Sequence, residues 1–179
     1  MSAEAKPVIV VGVSGSHASD AALRWAAAEA DRVGAQLRVV RAWEPEQRAY
    51  YAHPAAPDEA RFARERAGRS MARSMRAMLG PEPRPETFTA VVEGPAERVL
   101  ADQTSGADLL VLGSESGILA GRSIGPVIRA CLSRASCPVV VVSPQNFPRR
   151  SSAPAAGDPA ASFDERFLQS AGAQSGRSS

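Results

Sequence analysis

The stretch VIVVGVSGS, residues 8–16, predicts how the fold begins. Its first six residues are mostly β-branched, a pattern typical of a strand buried on both faces. A turn of serine and glycine follows. Apolar residues then recur at helical spacing from Ser19 to Val33, with Ser19 as the predicted N-cap and Gly34 as the stop. A buried strand followed at once by an amphipathic helix indicates a parallel sheet.

The same alternation repeats along the chain. Further strands are predicted at residues 36–43, 86–92, 108–113 and 138–143, and further helices at 58–79, at 95–106 and from 122 to 135. Five strands alternating with four helices predict an α/β fold, an open, twisted, five-stranded parallel sheet with helices on both faces. We expect this domain to span residues 8–143, after a short extension at 1–7.

Two segments lie outside this regular pattern. Residues 44–57 form a long connection with Tyr50, Tyr51 and His53 among prolines, which is typical of a lid or a mobile segment. Residues 144–179 are rich in Ser, Ala, Pro and Gly, so we expect the tail to be mostly disordered. Within the tail, residues 162–170 have capping-box spacing, which leaves open a docking helix beside the alternative of a solvated turn.

Charge and composition argue against several classes of partner. The chain carries 21 basic and 19 acidic residues, a net charge of +2, and therefore has no strong field to attract nucleic acid or an anionic membrane. The arginines of the helix at 58–79 spread around it without interleaved aromatic residues, as on a solvated face. No signal peptide or membrane span is predicted, and we expect a cytoplasmic protein.

No catalytic or metal site is predicted. The two histidines, His17 and His53, lie in a turn and a proline-rich connection, without a nucleophile motif around them. Cys131 and Cys137 stand among apolar residues without CxxC spacing and are expected to be buried free thiols. The turn SGSHASD at 14–20 is a poor match to the SGGxDS loop of ATP pyrophosphatases, and we keep that enzyme class as a remote alternative.

A glycine-rich loop carries the main functional signal. GSESGILAGRSIGP, residues 113–126, has four glycines directly behind a predicted strand and in front of a predicted helix. Glycines let backbone amides approach an anion, and helix N-termini bind phosphate. The loop matches neither GxxxxGK(S/T) nor GxGxxG, so its spacing alone does not identify a ligand.

Together these segments resemble the universal stress proteins. The likeness covers residues 8–143 and rests on VIVVGVSGSHASDAALRWAAAEA, LRVVRAWEP, VVEGPAERVL, GADLLVLGS and SCPVVVV. The resemblance implies a Rossmann-like open sheet, and a homodimer formed by antiparallel pairing of strand 138–143 with its twin. ATP-binding members of that family carry G-x2-G-x9-G-S/T after the fourth strand.

The chain departs from that ATP motif at several positions. Gly113 and Gly125 fit its first and last glycines, but they lie twelve positions apart where the motif has thirteen. Ser116, followed by Gly117, stands where the middle glycine belongs. Pro126 replaces the Ser or Thr, which removes a hydroxyl and a backbone donor.

The resemblance implies an adenine-nucleotide site, with ATP or a related nucleotide as ligand. Ser14, where nucleotide-binding relatives commonly have Asp, and Ala42 would line the ribose and adenine. The residues expected around the phosphates are Gly113, Ser116, Gly117, Gly125, Pro126 and Val127. The predicted function is a stress-response sensor or regulator with a weak or modified nucleotide site, no catalysis and an unknown regulatory protein partner. The alternative is a dimeric scaffold of the same fold that binds no nucleotide.

Overall fold

The computed structural model describes residues 6–45, 57–81, 86–115 and 124–144. Most of the predicted extension at 1–7, most of the connection at 44–57 and nearly all of the tail at 144–179, with its island at 162–170, lie outside the described residues. Ser116 and Gly117 lie outside them as well. Of the helices that are described, none is both long enough and apolar enough to cross a lipid bilayer.

Five strands and four helices alternate along the described chain. They are β1 (Val8–Gly12), α1 (His17–Val33), β2 (Gln36–Trp43), α2 (Pro57–Leu79), β3 (Thr87–Glu93), α3 (Ala96–Asp102), β4 (Leu109–Gly113), α4 (Pro126–Arg134) and β5 (Val139–Val142). All strand pairs are parallel, and the order across the sheet is β3-β2-β1-β4-β5. The predicted fold class is confirmed.

Helices cover both faces of the sheet, as the continuous apolar strands predict. Along β1, Val10 and Val11 are both fully buried although they point to opposite faces. Val11 packs in a core with residues of α1 and α2, whereas Val10 packs with residues of α3 and α4. A central strand is buried on both faces, and this explains why β1 is a continuous run of apolar residues.

Helix α1 begins earlier than the sequence predicted. Its N-cap is Ser16, whose Oγ accepts a hydrogen bond from the Ser19 backbone N–H at 3.2 Å. The prediction of Ser19 as N-cap was wrong, since Ser19 lies in the first turn, where its own Oγ donates to the Ser16 carbonyl. The predicted stop at Gly34 is confirmed, with φ 68° in the left-handed region.

Helix α4 begins later than predicted. The prediction placed its start at 122, but Ile124 and Gly125 precede the helix and Pro126 is its first residue. Proline lacks the N–H that would bond to residue 122, and its fixed φ suits the first helical position. The helix therefore starts at the proline, which places its N-terminus directly after Gly125.

The two cysteines differ in exposure. Both are free thiols; Cys131 is buried, as predicted, whereas Cys137 is only half-buried. Burial raises the pKa of both thiols, so they stay protonated at neutral pH.

The two glycines Gly34 and Gly68 should respond oppositely to alanine. A Cβ at either position would meet no atom within 4 Å, so the backbone conformation decides the outcome. We expect Gly34→Ala to destabilise the fold by about 1 kcal/mol because φ 68° is unfavourable for an L-residue. Gly68→Ala, inside α2, should stabilise it by about 0.5–1 kcal/mol. Urea unfolding of both variants checks the pair, and equal shifts would contradict the argument.

Candidate functional site

A cleft opens at the carboxyl ends of the strands, beside the central pair β1 and β4. From β1 the chain continues to β2 on one side, while β4 lies on the other, so the loops leaving the two strands diverge. Such a switch point is where ligands bind in open α/β sheets. The cleft has a volume of about 460 Å³, within the roughly 300–1,000 Å³ of small-molecule sites.

Four parts of the chain contribute most of the lining. These are residues 12–14 from the last residue of β1 onward, residues 40–42 near the end of β2, residues 113–115 from the last residue of β4 onward, and residues 125–128 at the start of α4. Of the eight site residues predicted from the sequence, six line this cleft: Ser14, Ala42, Gly113, Gly125, Pro126 and Val127. The other two, Ser116 and Gly117, are outside the described residues. Sequence reasoning missed Arg41 and Glu115, which also line it.

Gly113 is required for close packing of β4 against α1. A Cβ built on this glycine would collide with the carbonyl of Ala18 and lie 2.6 Å from the backbone nitrogen of Ser19. Neither Gly113 nor Gly125 has a positive φ. Neither glycine is therefore needed for a left-handed backbone conformation, and at Gly113 the missing side chain is what matters.

Glu115 reaches from the end of β4 to the N-terminus of α1. Its carboxylate Oε1 accepts a hydrogen bond from the Ala18 backbone N–H at 3.1 Å. A carboxylate at this end of a helix is favoured because the free N–H groups there carry partial positive charge. An internal anion thus occupies part of the N-terminus of α1, at the wall of the cleft.

The Ser14 side chain belongs to the turn that starts α1. Its hydroxyl donates to Ser16 Oγ at 3.0 Å and accepts from the Ser16 backbone N–H at 3.4 Å. The side chain is neutral, so this end of β1 offers a ligand a hydroxyl and no charge.

The N-terminus of α4 faces the cleft with backbone donors. Gly125 is its N-cap and supplies no side-chain hydrogen bond, and Pro126 has no N–H. First-turn N–H groups have no acceptor within their own helix, so those of Val127 and Ile128 remain for an anion or water. The predicted phosphate end of the site therefore has two backbone donors among the described residues of this turn.

Arg41 lies at the end of β2 and is the cation among the described residues that line the cleft. Its Nη1 donates to the Val13 carbonyl at 3.2 Å. Its Nε is buried and has no hydrogen-bond partner among the described residues. Burial lowers the pKa of this guanidinium, which nevertheless stays charged. In the sequence, Arg41 looked like an ordinary polar position of a strand.

Residues 7–143 match the universal stress protein family. The chain belongs to that family. Within the described part of this universal stress protein, no three Asp, Glu, His or Cys side chains are grouped so as to hold a metal ion.

Two curated relatives come from Mycobacterium tuberculosis. The universal stress proteins Rv2623 and Rv2624c are each 30% identical to this chain, over 141 and 135 residues, and each match covers 75% of it. The matched regions are 46% and 47% of those proteins, so the chain spans about half the length of these relatives.

Solved structures agree on the fold. The universal stress protein UspA from Lactobacillus plantarum superimposes with a TM-score of 0.59 at 23% identity, covering 78% of this chain and 99% of that protein. A universal stress protein solved in complex with cAMP superimposes with a TM-score of 0.53 at 25% identity, covering 78% of this chain and 98% of that protein.

Proposed function

We propose that this universal stress protein binds an adenine nucleotide in the cleft at the ends of β1 and β4. One observation carries the proposal: the six described residues that the sequence selected for such a site lie together around one open cleft. The cleft also has the location and volume of a small-molecule site. The relative solved with cAMP supports an adenine nucleotide as the ligand.

The proposed role is that of a cytoplasmic stress sensor or regulator, in which binding changes the protein and no chemical step follows. Affinity for ATP should be modest, for three reasons. Pro126 supplies neither hydroxyl nor N–H, Ser14 supplies no charge, and the Glu115 carboxylate repels added phosphates. Each missing neutral hydrogen bond costs about 0.5–1.5 kcal/mol of affinity.

Calorimetric titration with AMP, cAMP and ATP at millimolar concentrations tests the proposal. The full chain should bind at least one of them with one site per protein. Ala42→Phe fills the cleft and should abolish binding, whereas Ala72→Phe, at an exposed position of α2, should leave it unchanged. Absence of binding by the folded protein would refute the nucleotide function and leave the scaffold alternative.

We also propose that the protein forms a homodimer through β5. This strand is at one edge of the sheet, and its outer side pairs with no other strand of the described chain. The Pro138 and Val142 carbonyls bond to β4, so the backbone groups of Val139 and Val141 point outward. Unpaired edges of this kind favour association with a second strand.

Sedimentation equilibrium should therefore give twice the mass of the chain. Val141→Pro removes an outward N–H that β4 does not use, and we expect it to weaken the dimer at least about tenfold. A thermal melt of the variant controls for folding. A monomeric wild-type protein at high micromolar concentration would contradict the proposal.

A further inference from the structure

We propose that the outward face of α2 binds an acidic, helical segment of a partner protein. The surface consists of Arg66, Arg69, Arg73 and Arg76, which we name the arginine row, together with the exposed ring of Phe62. Among the described residues that line the nucleotide cleft, none belongs to α2. The inference is therefore independent of the proposed nucleotide function and concerns a second site on the protein.

The arginine row lies opposite the buried side of α2. Ala67, Met71 and Ser74 are buried, whereas all four arginines of the row are exposed. At 3.6 residues per turn, the four fall within about 80° of the helix circumference. The sequence suggested that the six arginines of this helix spread around it, but only Arg61 and Arg64 lie outside this arc. The helix therefore presents a narrow basic ridge to the outside.

The carboxyl half of α2 carries an excess of positive charge. No Asp or Glu occurs between residues 66 and 80. Arg69 pairs with Glu65 at 3.5 Å, and that carboxylate also contacts a second arginine at 3.9 Å. Within the described chain, neither Arg73 nor Arg76 forms an ion pair. Like charges three or four positions apart destabilise a helix, so the stability of α2 does not explain the row, and an acidic partner would relieve the repulsion.

The spacing of the row favours a helical partner. Residues three and four positions apart on one helix face have Cβ atoms about 5–6 Å apart, whereas a strand repeats on one face every ~6.6 Å. A second helix with carboxylates at the same spacing therefore matches the row over several turns. Arginine forks pair bidentately with carboxylates. The small side chains of Ala72 and Ala77, both exposed beside the row, leave room for close approach.

Phe62 offers an apolar contact at the amino end of the row. It is 55% exposed and lies one helical turn before Arg66, on the same face. The guanidinium of Arg61 lies 5.3 Å from the centre of the Phe62 ring, a cation–π contact that favours one orientation of the ring. Aromatic residues and arginine are enriched in protein interfaces. The partner should therefore carry an apolar residue one turn beyond its acidic positions.

Nucleic acid fits this surface less well than an acidic protein segment does. The whole chain has a net charge of only +2, which gives little attraction at long range. The row is about 15 Å long. Asp58, Glu59 and Glu65 follow toward the amino end of α2 and would repel a phosphate backbone that continues past the row. A protein segment can end its acidic stretch at that point.

Two isomeric peptides test the proposal. Each is a helix of about 20 residues built from Ala, Lys, Glu and Leu. One carries its glutamates and a leucine along a single face, and the other distributes the same residues around the helix. In fluorescence anisotropy at low salt, the full chain should bind the single-face peptide about tenfold more tightly. Equal binding would mean that only non-specific charge attraction acts, and would overturn the proposal.

Two triple variants connect the preference to the arginine row. Replacing Arg69, Arg73 and Arg76 together with glutamine should abolish the preference for the single-face peptide. The matched control loses the same charge from exposed positions of α3 and α4, on the opposite face of the sheet, through Arg98→Gln, Arg129→Gln and Arg134→Gln. It should retain the preference. A preference that survives in the folded α2 variant would overturn the proposal.

Single substitutions test the apolar contact and the fold. Phe62→Ala should weaken binding of the single-face peptide about threefold or more, whereas Phe88→Ala, at a similarly exposed position of β3, should leave it unchanged. Equal effects of the two would contradict the assigned contact. Arg73→Gln should not lower the urea concentration at the midpoint of unfolding, because it removes like-charge repulsion. A lower midpoint would assign Arg73 to fold stability and count against the proposal.

Other occupants of this surface give different results. Tighter binding of single-stranded DNA or of phosphatidylserine vesicles than of the single-face peptide would overturn the acidic protein partner. A lower mass of the α2 triple variant in sedimentation equilibrium would show that a second copy of this chain covers the row, and would overturn it as well. Binding of AMP by this variant should equal that of wild type, which separates failure of this proposal from failure of the nucleotide function.

Discussion

Replacing Gly113 with alanine is expected to lower the free energy of unfolding by about 3 kcal/mol or more. The added Cβ would meet the carbonyl group of Ala18 and the nitrogen of Ser19, both of which are backbone atoms of α1. A side chain could rotate away from such a contact, but a helix backbone cannot. Either β4 or the first turn of α1 must move, and α1 packs against both β1 and β4 in the core.

Gly125→Ala is the matched control for this prediction. Gly125 belongs to the same loop motif, has φ −58°, and a Cβ there would meet nothing within 4 Å. Its substitution should change stability by less than about 1 kcal/mol. Urea unfolding of both variants, followed by circular dichroism, measures the difference. If Gly113→Ala were as stable as Gly125→Ala, β4 would not approach the backbone of α1 as closely as the structure indicates.

Gly113 and Gly125 also show two different reasons for a glycine in such a motif: close packing of the backbone, and space for a ligand. In sequence, Gly113 and Gly125 look equivalent, since both mark the ends of a phosphate-binding pattern. In the structure, Gly113 is fixed by packing and would be required even without a ligand, whereas Gly125 leaves room beside the N-terminus of α4. A glycine at the first position is therefore weak evidence for nucleotide binding, and the open space at the second is stronger.

The sheet could be predicted from the sequence because its signal is local and continuous. Strand β2 has the predicted bounds, 36–43, because its short apolar run begins directly after the turn at Gly34 and is too short for a typical helix. Helix starts were less predictable. Ser16 and Ser19 are both suitable N-caps, and only the hydrogen bond from the Ser19 N–H to Ser16 Oγ distinguishes them.

Site residues could be predicted from the sequence where their position along a strand places them at the cleft. They could not be predicted where the contact joins residues far apart in the sequence. Ser14 follows β1 and Ala42 lies near the end of β2, so their place at the carboxyl edge of the sheet follows from topology. Glu115 and Ala18 are 97 positions apart, and nothing local indicates that they bond. The buried Nε of Arg41 likewise depends on how the turn after β1 covers the end of β2.

Converting Glu115 to glutamine should raise the affinity for ATP about tenfold and change the affinity for AMP much less. Glutamine keeps the shape of the side chain, and its carbonyl oxygen can still accept the hydrogen bond from the Ala18 N–H. The variant thus removes one negative charge from the wall of the cleft. Repulsion grows with each added phosphate, so relief of that repulsion favours the triphosphate over the monophosphate.

Calorimetric titration of ATP and AMP at low and high salt measures this effect. Glu86→Gln makes the same change of charge at the amino end of β3, away from the cleft, and should leave the ratio of the two affinities unchanged. The gain in Glu115→Gln should shrink at high salt because ions screen charges that face solvent. An unchanged ratio in Glu115→Gln would mean that the phosphates do not lie near this carboxylate.

Glu115→Gln should also lower the free energy of unfolding slightly. Tighter ATP binding together with a less stable empty protein would trace both effects to the charge of Glu115. Glu115 stabilises α1 by placing a negative charge at the helix N-terminus, an effect of about 0.3–1 kcal/mol that glutamine loses. Without ligand, Glu115→Gln should therefore unfold at lower urea concentration than wild type, and with saturating ATP the order should reverse if binding improves as expected. The Glu115 carboxylate would then stabilise the protein without ligand and weaken the binding of ATP. The cleft would therefore prefer ligands with fewer phosphates at the 5′ end.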